Sequence, residues 1–177
     1  RDPVSGNIHR PFGMGVSDTA YPRQCADFIR RHRLSGPLFN TFGIGGYLIG
    51  NFYPDGKVYV DSRLSVYGLP FLLHYNRMLL EPSRFGIEAA RRGFRMALVD
   101  HYNPSNDRLL RRLENSEDWE LACFDASSAL YVYTPDQATD FTDLIESGIK
   151  VSTGREGLSP RQSYLRGLFC VKVERGE

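Results

Sequence analysis

The 177-residue chain has no apolar run near the ~20 residues that a membrane-spanning helix requires, and its N-terminus lacks the pattern of a signal peptide. As given, it reads as soluble. No charge of one sign prevails either, since 22 Lys and Arg stand against 21 Asp and Glu for a net charge of +1. That balance removes the electrostatic case for a nucleic-acid partner. Cys25, Cys123 and Cys170 are too few and too far apart for a zinc cluster, and three is an odd number for a disulfide framework. Each sits among apolar neighbours and reads as a buried free thiol, with one disulfide left open if the chain faces an oxidising compartment. His9, His32 and His74 have no metal-ligand spacing with the acids or cysteines. G-x-S-x-G does not occur, which excludes a nucleophile elbow, and no G-K-[ST] follows the glycine-rich turn, which excludes a P-loop. No cofactor is expected.

What is present fits one substantial core rather than two. Hydrophobic content of 41% and charged content of 24% are ordinary for a globular chain. The basic clusters Arg30, Arg31 and Arg33, Arg91 and Arg92, and Arg108, Arg111 and Arg112 each lie near the C-terminal end of a helical pattern, where cations favour the helix dipole. The composition divides into an extended connector over 1–20, an α/β domain over 21–135 and a helical C-terminal extension over 136–177. A start at Arg1 without methionine and a stop at Glu177 in mid-pattern suggest a piece of a larger chain.

Within the domain, Pro22 opens a helix carrying Cys25, Phe28, Ile29 and His32, ended by Gly36. Leu38 and Phe39 form a strand leading into Asn40 and Thr41. Gly43, Gly45 and Gly46 then turn the chain into a short apolar helix, Tyr47 to Phe52, stopped by Pro54 and the Asp55-Gly56 turn. Val58 to Val60 read as a second strand and Met96 to Val99 as a third, with two helices between them broken at Pro82 and placed as a cover over the strand ends. Ser105 or Asn106 caps a helix with the stripe Leu109, Leu110 and Leu113, and Trp119 to Phe124 and Ala129 to Tyr133 form an antiparallel hairpin at one sheet edge. The expected fold is α/β, three-layered, with a mostly parallel sheet, a hairpin edge and C-terminal helices.

Polar groups fall at the strand ends, where open α/β sheets bind ligands. Asn40, Gly45, Gly46, Tyr47, Asp61, Arg63, Asp100 and His101 are the candidate ligand-binding residues, and none is assigned a catalytic role. Asp61 and Arg63 stand two apart and share one side of an extended segment. They are either an ion pair bracing the glycine turn or a carboxylate and guanidinium offered to a polar ligand. Asn40 has the same two readings. Asp100 and His101 are adjacent, so in a strand their side chains diverge and cannot act as one acid-base pair. A dinucleotide fingerprint is started by Gly43, Gly45 and Asp61, but Leu48 stands where the third glycine belongs and the intervening helix is short.

The run from Tyr21 through Arg63, with YP, ADFIRRHRLSG, LFNTFGIGGYLIG and KVYVDSR, resembles the soluble extracytoplasmic region that follows the membrane spans in bacterial GT-C glycosyltransferase-like proteins. MALVDHY and WELACFDASSALYVY are similar to the same region, so the resemblance covers roughly residues 10 to 135. It implies chemistry on loops between membrane spans, with a polyprenyl-phosphate-linked sugar as donor. Those loops are absent here. The implied role is a non-catalytic domain on the extracytoplasmic face of a bacterial membrane, covering or shaping the acceptor side of a parent enzyme's active site. Its implied partners are the membrane-embedded portion of the same chain and a sugar or polyprenyl-linked substrate. PRQSYLRGLFCVKVERG, from Pro160 to Gly176, is similar to the first helix of a tetratricopeptide repeat, and it either docks on the domain, opens a repeat array or pairs as a homodimer. Two alternatives remain: a free-standing nucleotide- or sugar-binding α/β enzyme using the Gly43 to Gly46 turn and Asp61, and a protein-interaction module working through the C-terminal helices.

Overall fold

A computed structural model describes residues 20–134. The 1–19 stretch of the connector and the helical extension, with its tetratricopeptide-like segment and Cys170, lie outside the described residues. Four strands, β1 (Leu38–Asn40), β2 (Met96–Asp100), β3 (Trp119–Phe124) and β4 (Ser128–Tyr133), form one sheet in the order β1-β2-β4-β3. β2 is parallel to β1 but antiparallel to β4, and β4 is antiparallel to β3. The sheet is therefore mixed and mostly antiparallel, which corrects the expected mostly parallel arrangement.

The physical cause is the segment Val58 to Val60, which forms no strand. Its polar backbone groups are met by a side chain instead of a ladder: the Tyr59 N–H donates to Asn40 Oδ1 at 2.8 Å and the Asn40 Nδ2 donates to the Val60 carbonyl at 2.7 Å. Without that strand the sheet keeps one parallel pair, and the hairpin contributes the two antiparallel ones.

Helices cover both faces because the strand residues alternate. Leu38, Met96, Leu98, Leu130 and Val132 face α1 (Arg23–Arg31) and α2 (Gly45–Phe52). Phe39, Ala97, Val99, Leu121 and Tyr131 face α3 (Leu64–Leu80), α4 (Pro82–Arg92) and α5 (Asp107–Glu114). Phe39 is the centre of the second layer, with ring centroids 5.3 Å from Tyr59, 5.0 Å from Phe85 and 5.6 Å from Phe94. β2 is buried along Met96 to Val99, as a central strand with both faces covered should be.

The helix ends follow local chemistry. Gly93 at φ 64° closes α4 in the left-handed conformation, with its N–H bonded to the Ala90 carbonyl and the Phe94 N–H to that of Ala89. α1 ends at Arg31, earlier than Gly36, and the cap before α5 also differs from expectation. Asn103, rather than Ser105 or Asn106, accepts from the Ser105 N–H and opens a 3-10 turn, Pro104–Asn106, ahead of α5. α1 has no side-chain cap of its own, and Asp125 supplies one from the β3–β4 turn, its Oδ2 accepting from the Cys25 N–H at 3.1 Å. Asp125 Oδ1 meanwhile accepts from the backbone and hydroxyl groups of Ser127 and Ser128. α4 carries its own ion cluster, where hydrogen bonds from Arg91 and Arg92 bring the buried Glu88 down to about 2.

α2 and the 58–61 segment touch through a single missing side chain. A Cβ on Gly45 would lie 2.0 Å from the Val60 carbonyl oxygen and 2.7 Å from the Asp61 Cα. Both obstacles are backbone, so neither swings aside. Gly45→Ala is expected to cost about 3 kcal/mol, the upper end of overpacking penalties. Gly46→Ala, whose Cβ would meet nothing nearer than the Ser62 hydroxyl at 4.0 Å, is expected to be neutral or stabilising by up to ~1 kcal/mol. Urea midpoints of the two variants measure the contrast, and a Gly45→Ala midpoint equal to that of the unmodified chain would rule out the close approach.

Candidate functional site

The candidate site builds outward from the end of β1. Asn40 is fully buried, and its amide is committed on both sides: Nδ2 donates to the carbonyls of Thr41 at 3.0 Å and Val60 at 2.7 Å, while Oδ1 accepts from Tyr59 N–H at 2.8 Å. Next along the chain, the Asp61 carboxylate is 1% exposed yet ionised among donors. Arg63 holds it in a fork, Nε to Oδ1 at 2.9 Å and Nη2 to Oδ2 at 2.7 Å, and the Arg63 N–H adds a third bond at 2.8 Å. The Tyr67 hydroxyl donates to Oδ2 at 2.8 Å and accepts from the Asp61 N–H at 3.1 Å, which closes a ring of bonds between α3 and the segment before it.

This geometry decides the electrostatics. The Arg63 hydrogen bonds hold the Asp61 carboxyl well below the usual carboxylate range, outweighing the upward pull of burial. The Tyr67 phenol is pushed up, first by burial and then by its bond to Asp61. A carboxylate so stabilised is a weak base and, near neutral pH, has no proton to give, so Asp61 is poorly matched to general acid-base work.

The structure brings Asn40, Gly45, Asp61 and Arg63 into one cluster. It separates the other candidates from it. Gly46 is exposed on α2. Tyr47 turns to the opposite layer and stacks on Tyr21 with centroids 5.2 Å apart. Asp100 donates its N–H to the Thr41 hydroxyl at 3.0 Å, and its Oδ1 accepts from the Tyr102 N–H at 2.8 Å. His101 leans the other way, with Nε2 3.0 Å from the Asp125 carbonyl oxygen and its ring stacked on Phe124 at 4.9 Å. A cavity of about 310 Å³ lies at the far end of β2 from Asp100, between Phe85, Phe94, Arg112 and Trp119, and includes none of these residues.

Tyr67, Thr41, Tyr75 and Asp125 complete the polar scaffold and were not among the expected site residues. The Tyr75 hydroxyl accepts from the Phe42 N–H at 3.0 Å, and burial pushes that phenol up to about 12. Asp125 had a readable signal, since Asp followed by serines two and three residues on favours side-chain-closed turns. Tyr67 had a weaker one, a tyrosine one to two helical turns beyond an acid.

No protein family, curated protein or solved structure matches the chain. The reading of the site therefore rests on its geometry.

Asp61→Ala is expected to destabilise by about 2 kcal/mol, because the Arg63 and Tyr67 donors lose their charged acceptor while the largely exposed Arg63 side chain returns to water. Tyr67→Phe should cost ~1 kcal/mol, and the double variant less than the sum, because both changes act on one carboxylate. The depressed folded-state pKa gives the pH dependence its sign. The unfolded chain takes up a proton near ~3.9 while the folded one does not, so the contribution of Asp61 is present above ~4 and fades as pH falls. About 1 kcal/mol of it should be gone by pH 3. Urea midpoints at pH 7 and pH 3 should accordingly fall further in the unmodified chain than in Asp61→Asn, and equal falls would mean the pair adds nothing.

Proposed function

We propose that the chain is a non-catalytic α/β domain that docks against the membrane-embedded portion of a larger glycosyltransferase-like protein and helps shape the acceptor side of its active site. One observation carries this reading. Leu64, Val66, Leu69 and Leu73 are 56%, 63%, 67% and 48% exposed along the first part of α3, while Tyr75, Met78 and Leu79 in its second part are buried. The helix is kinked at Gly68 (φ 69°, ψ 158°), so its first turn departs from the line of the rest and carries apolar side chains into solvent. From Leu64 to Asn76 there is no Asp, Glu, Lys or Arg. An uncharged apolar surface of this kind favours an apolar partner.

Its position gives the surface a function. The patch starts at Leu64, directly after Arg63, so the brace around Asp61 fixes where the apolar segment emerges. A polar scaffold consumed by its own backbone and an apolar surface left uncovered suit a domain that positions a partner rather than one that turns over a substrate. Among the described residues no helix is long and apolar enough to cross a membrane, and α3 lies on the sheet through its second half, so the contact proposed is docking and not insertion. The free-standing enzyme alternative has less support. The space beside Gly45 that a phosphate-cradling loop would keep open is filled by the chain's own Val60 carbonyl, and Asp61 is paired.

The expected behaviour is partition of the chain into dodecylmaltoside micelles, read by sizing or flotation, and its loss in a Leu64→Ser, Val66→Ser, Leu69→Ser variant whose melting temperature stays within a few degrees. No turnover is expected with nucleotide sugars or nicotinamide cofactors. Turnover that disappears in Asp61→Asn would replace this reading with the enzyme one, and micelle binding unchanged by the triple substitution would remove α3 as the docking surface.

A further inference from the structure

The Sγ atoms of Cys25 and Cys123 are 3.1 Å apart, although 98 residues separate them in the chain. That is about 1 Å longer than a disulfide bond of ~2.05 Å. We propose that Cys25 and Cys123 are a dithiol built to close, by exchange with a disulfide-bearing oxidant, into a bond that ties α1 to the edge strand β3. The proposal does not rest on the docking reading above.

Two features of the backbone aim the sulfurs at each other. The first is a bulge in β3. Leu121 pairs with Tyr131 and Cys123 with Leu130, so Ala122 is an extra residue in the ladder. With unbroken alternation Cys123 would share the face of Leu121, which packs beneath α3 to α5 and away from α1. The bulge turns it over: Ala122 and Cys123 both pack in the layer of Cys25, and Phe124 returns to the layer of Leu121. The second feature is Asp125, which binds the Cys25 N–H and closes the β3–β4 turn with its other oxygen. It fixes the N-terminal end of α1 against the strand that carries Cys123, so closing the bond requires little backbone movement.

Access is asymmetric. Cys25 is fully buried, and burial pushes its thiol well above the usual range, whereas Cys123 is partly exposed. Cys123 is thus the sulfur an oxidant reaches first. Its thiolate attacks one sulfur of the oxidant disulfide and expels a thiolate, leaving a mixed disulfide on Cys123. Cys25, losing its proton, then attacks Cys123 Sγ and expels the second thiolate. The two protein thiol protons end on two released thiols, the protein sulfurs are oxidised to a disulfide, and the oxidant disulfide is reduced.

The test is exposure of the full 177-residue chain to oxidised glutathione, followed by alkylation under denaturing conditions, intact mass, peptide mapping and thermal melting. The expected product is lighter by two hydrogens, carries a Cys25–Cys123 crosslinked peptide, and melts roughly 10 °C higher, with dithiothreitol reversing the shift. Cys170→Ser should behave identically. Cys123→Ser, a change at the partly exposed sulfur, should fold and show neither crosslink nor shift. A stable glutathione adduct on Cys123 with Cys25 still free, a crosslink through Cys170, or Cys25 and Cys123 both alkylated after oxidant treatment would each overturn the proposal.

Discussion

The side-chain amide of Asn40 stands where the backbone of a neighbouring strand would stand, and the ordering of the candidate site depends on it. β1 is only three residues long and lies at the sheet edge. An edge presents unpaired backbone groups, which need either another strand or a substitute. One planar amide meets the Tyr59 N–H and the Val60 carbonyl and so performs, with one residue, the docking that a ladder would spread over several. Buried amide and carbonyl groups left unmade cost ~1 to 3 kcal/mol each, so this bond cannot be exchanged for apolar packing without penalty. With Val60 held there, its carbonyl presses on Gly45, and Asp61 comes within reach of Tyr67 and Arg63. Pinning Asp61 in turn fixes the start of α3.

The same economy recurs at the opposite side of the sheet. Asp125 satisfies four donors of its own turn with one oxygen and the uncapped start of α1 with the other. Glu88 binds two arginines of its own helix. Asp61, Glu88 and Asp125 are each at most 3% exposed, and each takes its donors largely from residues within four positions along the chain. Local donors make buried carboxylates affordable in a small domain, because the partner is already near in the unfolded chain and little further ordering is needed. The result is a scaffold in which acidic residues act as backbone connectors.

That habit explains what could be read from the sequence. The helices were legible because their apolar residues recur at helical spacing, and the hairpin was legible because two β-rich runs flank Asp125 to Ser127. Layers on both faces followed from the alternation of strands and helices along the chain. The Val58 to Val60 run has the composition of a strand, but whether such a run joins a ladder depends on what lies beside it, here the amide of a residue nineteen positions earlier. Sequence composition is silent on that, and the error propagated into the parallel count of the sheet. The two readings of Asn40 and of Asp61 with Arg63 stayed open for the same reason: a residue type suited to grip a ligand is equally suited to grip backbone. The approach of Cys25 to Cys123 could not be seen at all, since it requires knowing both the register of β3 against β4 and the position of its bulge.

The two irregularities of the fold lie at separate places, and they have different physical characters. The start of α3 is apolar, uncharged and kinked outward by Gly68 and Pro70, a conformation that burial of Tyr67, Phe71 and Tyr75 alone would not require of Leu64, Val66 and Leu69. The cysteine pair sits on the other face of the sheet, where a bulge disturbs an otherwise regular edge strand to bring one sulfur to another. A small domain loses packing regularity in both cases. In a fold whose polar residues are spent so consistently on its own backbone, departures from regular packing say more about what the domain can do than the presence of a carboxylate or a histidine.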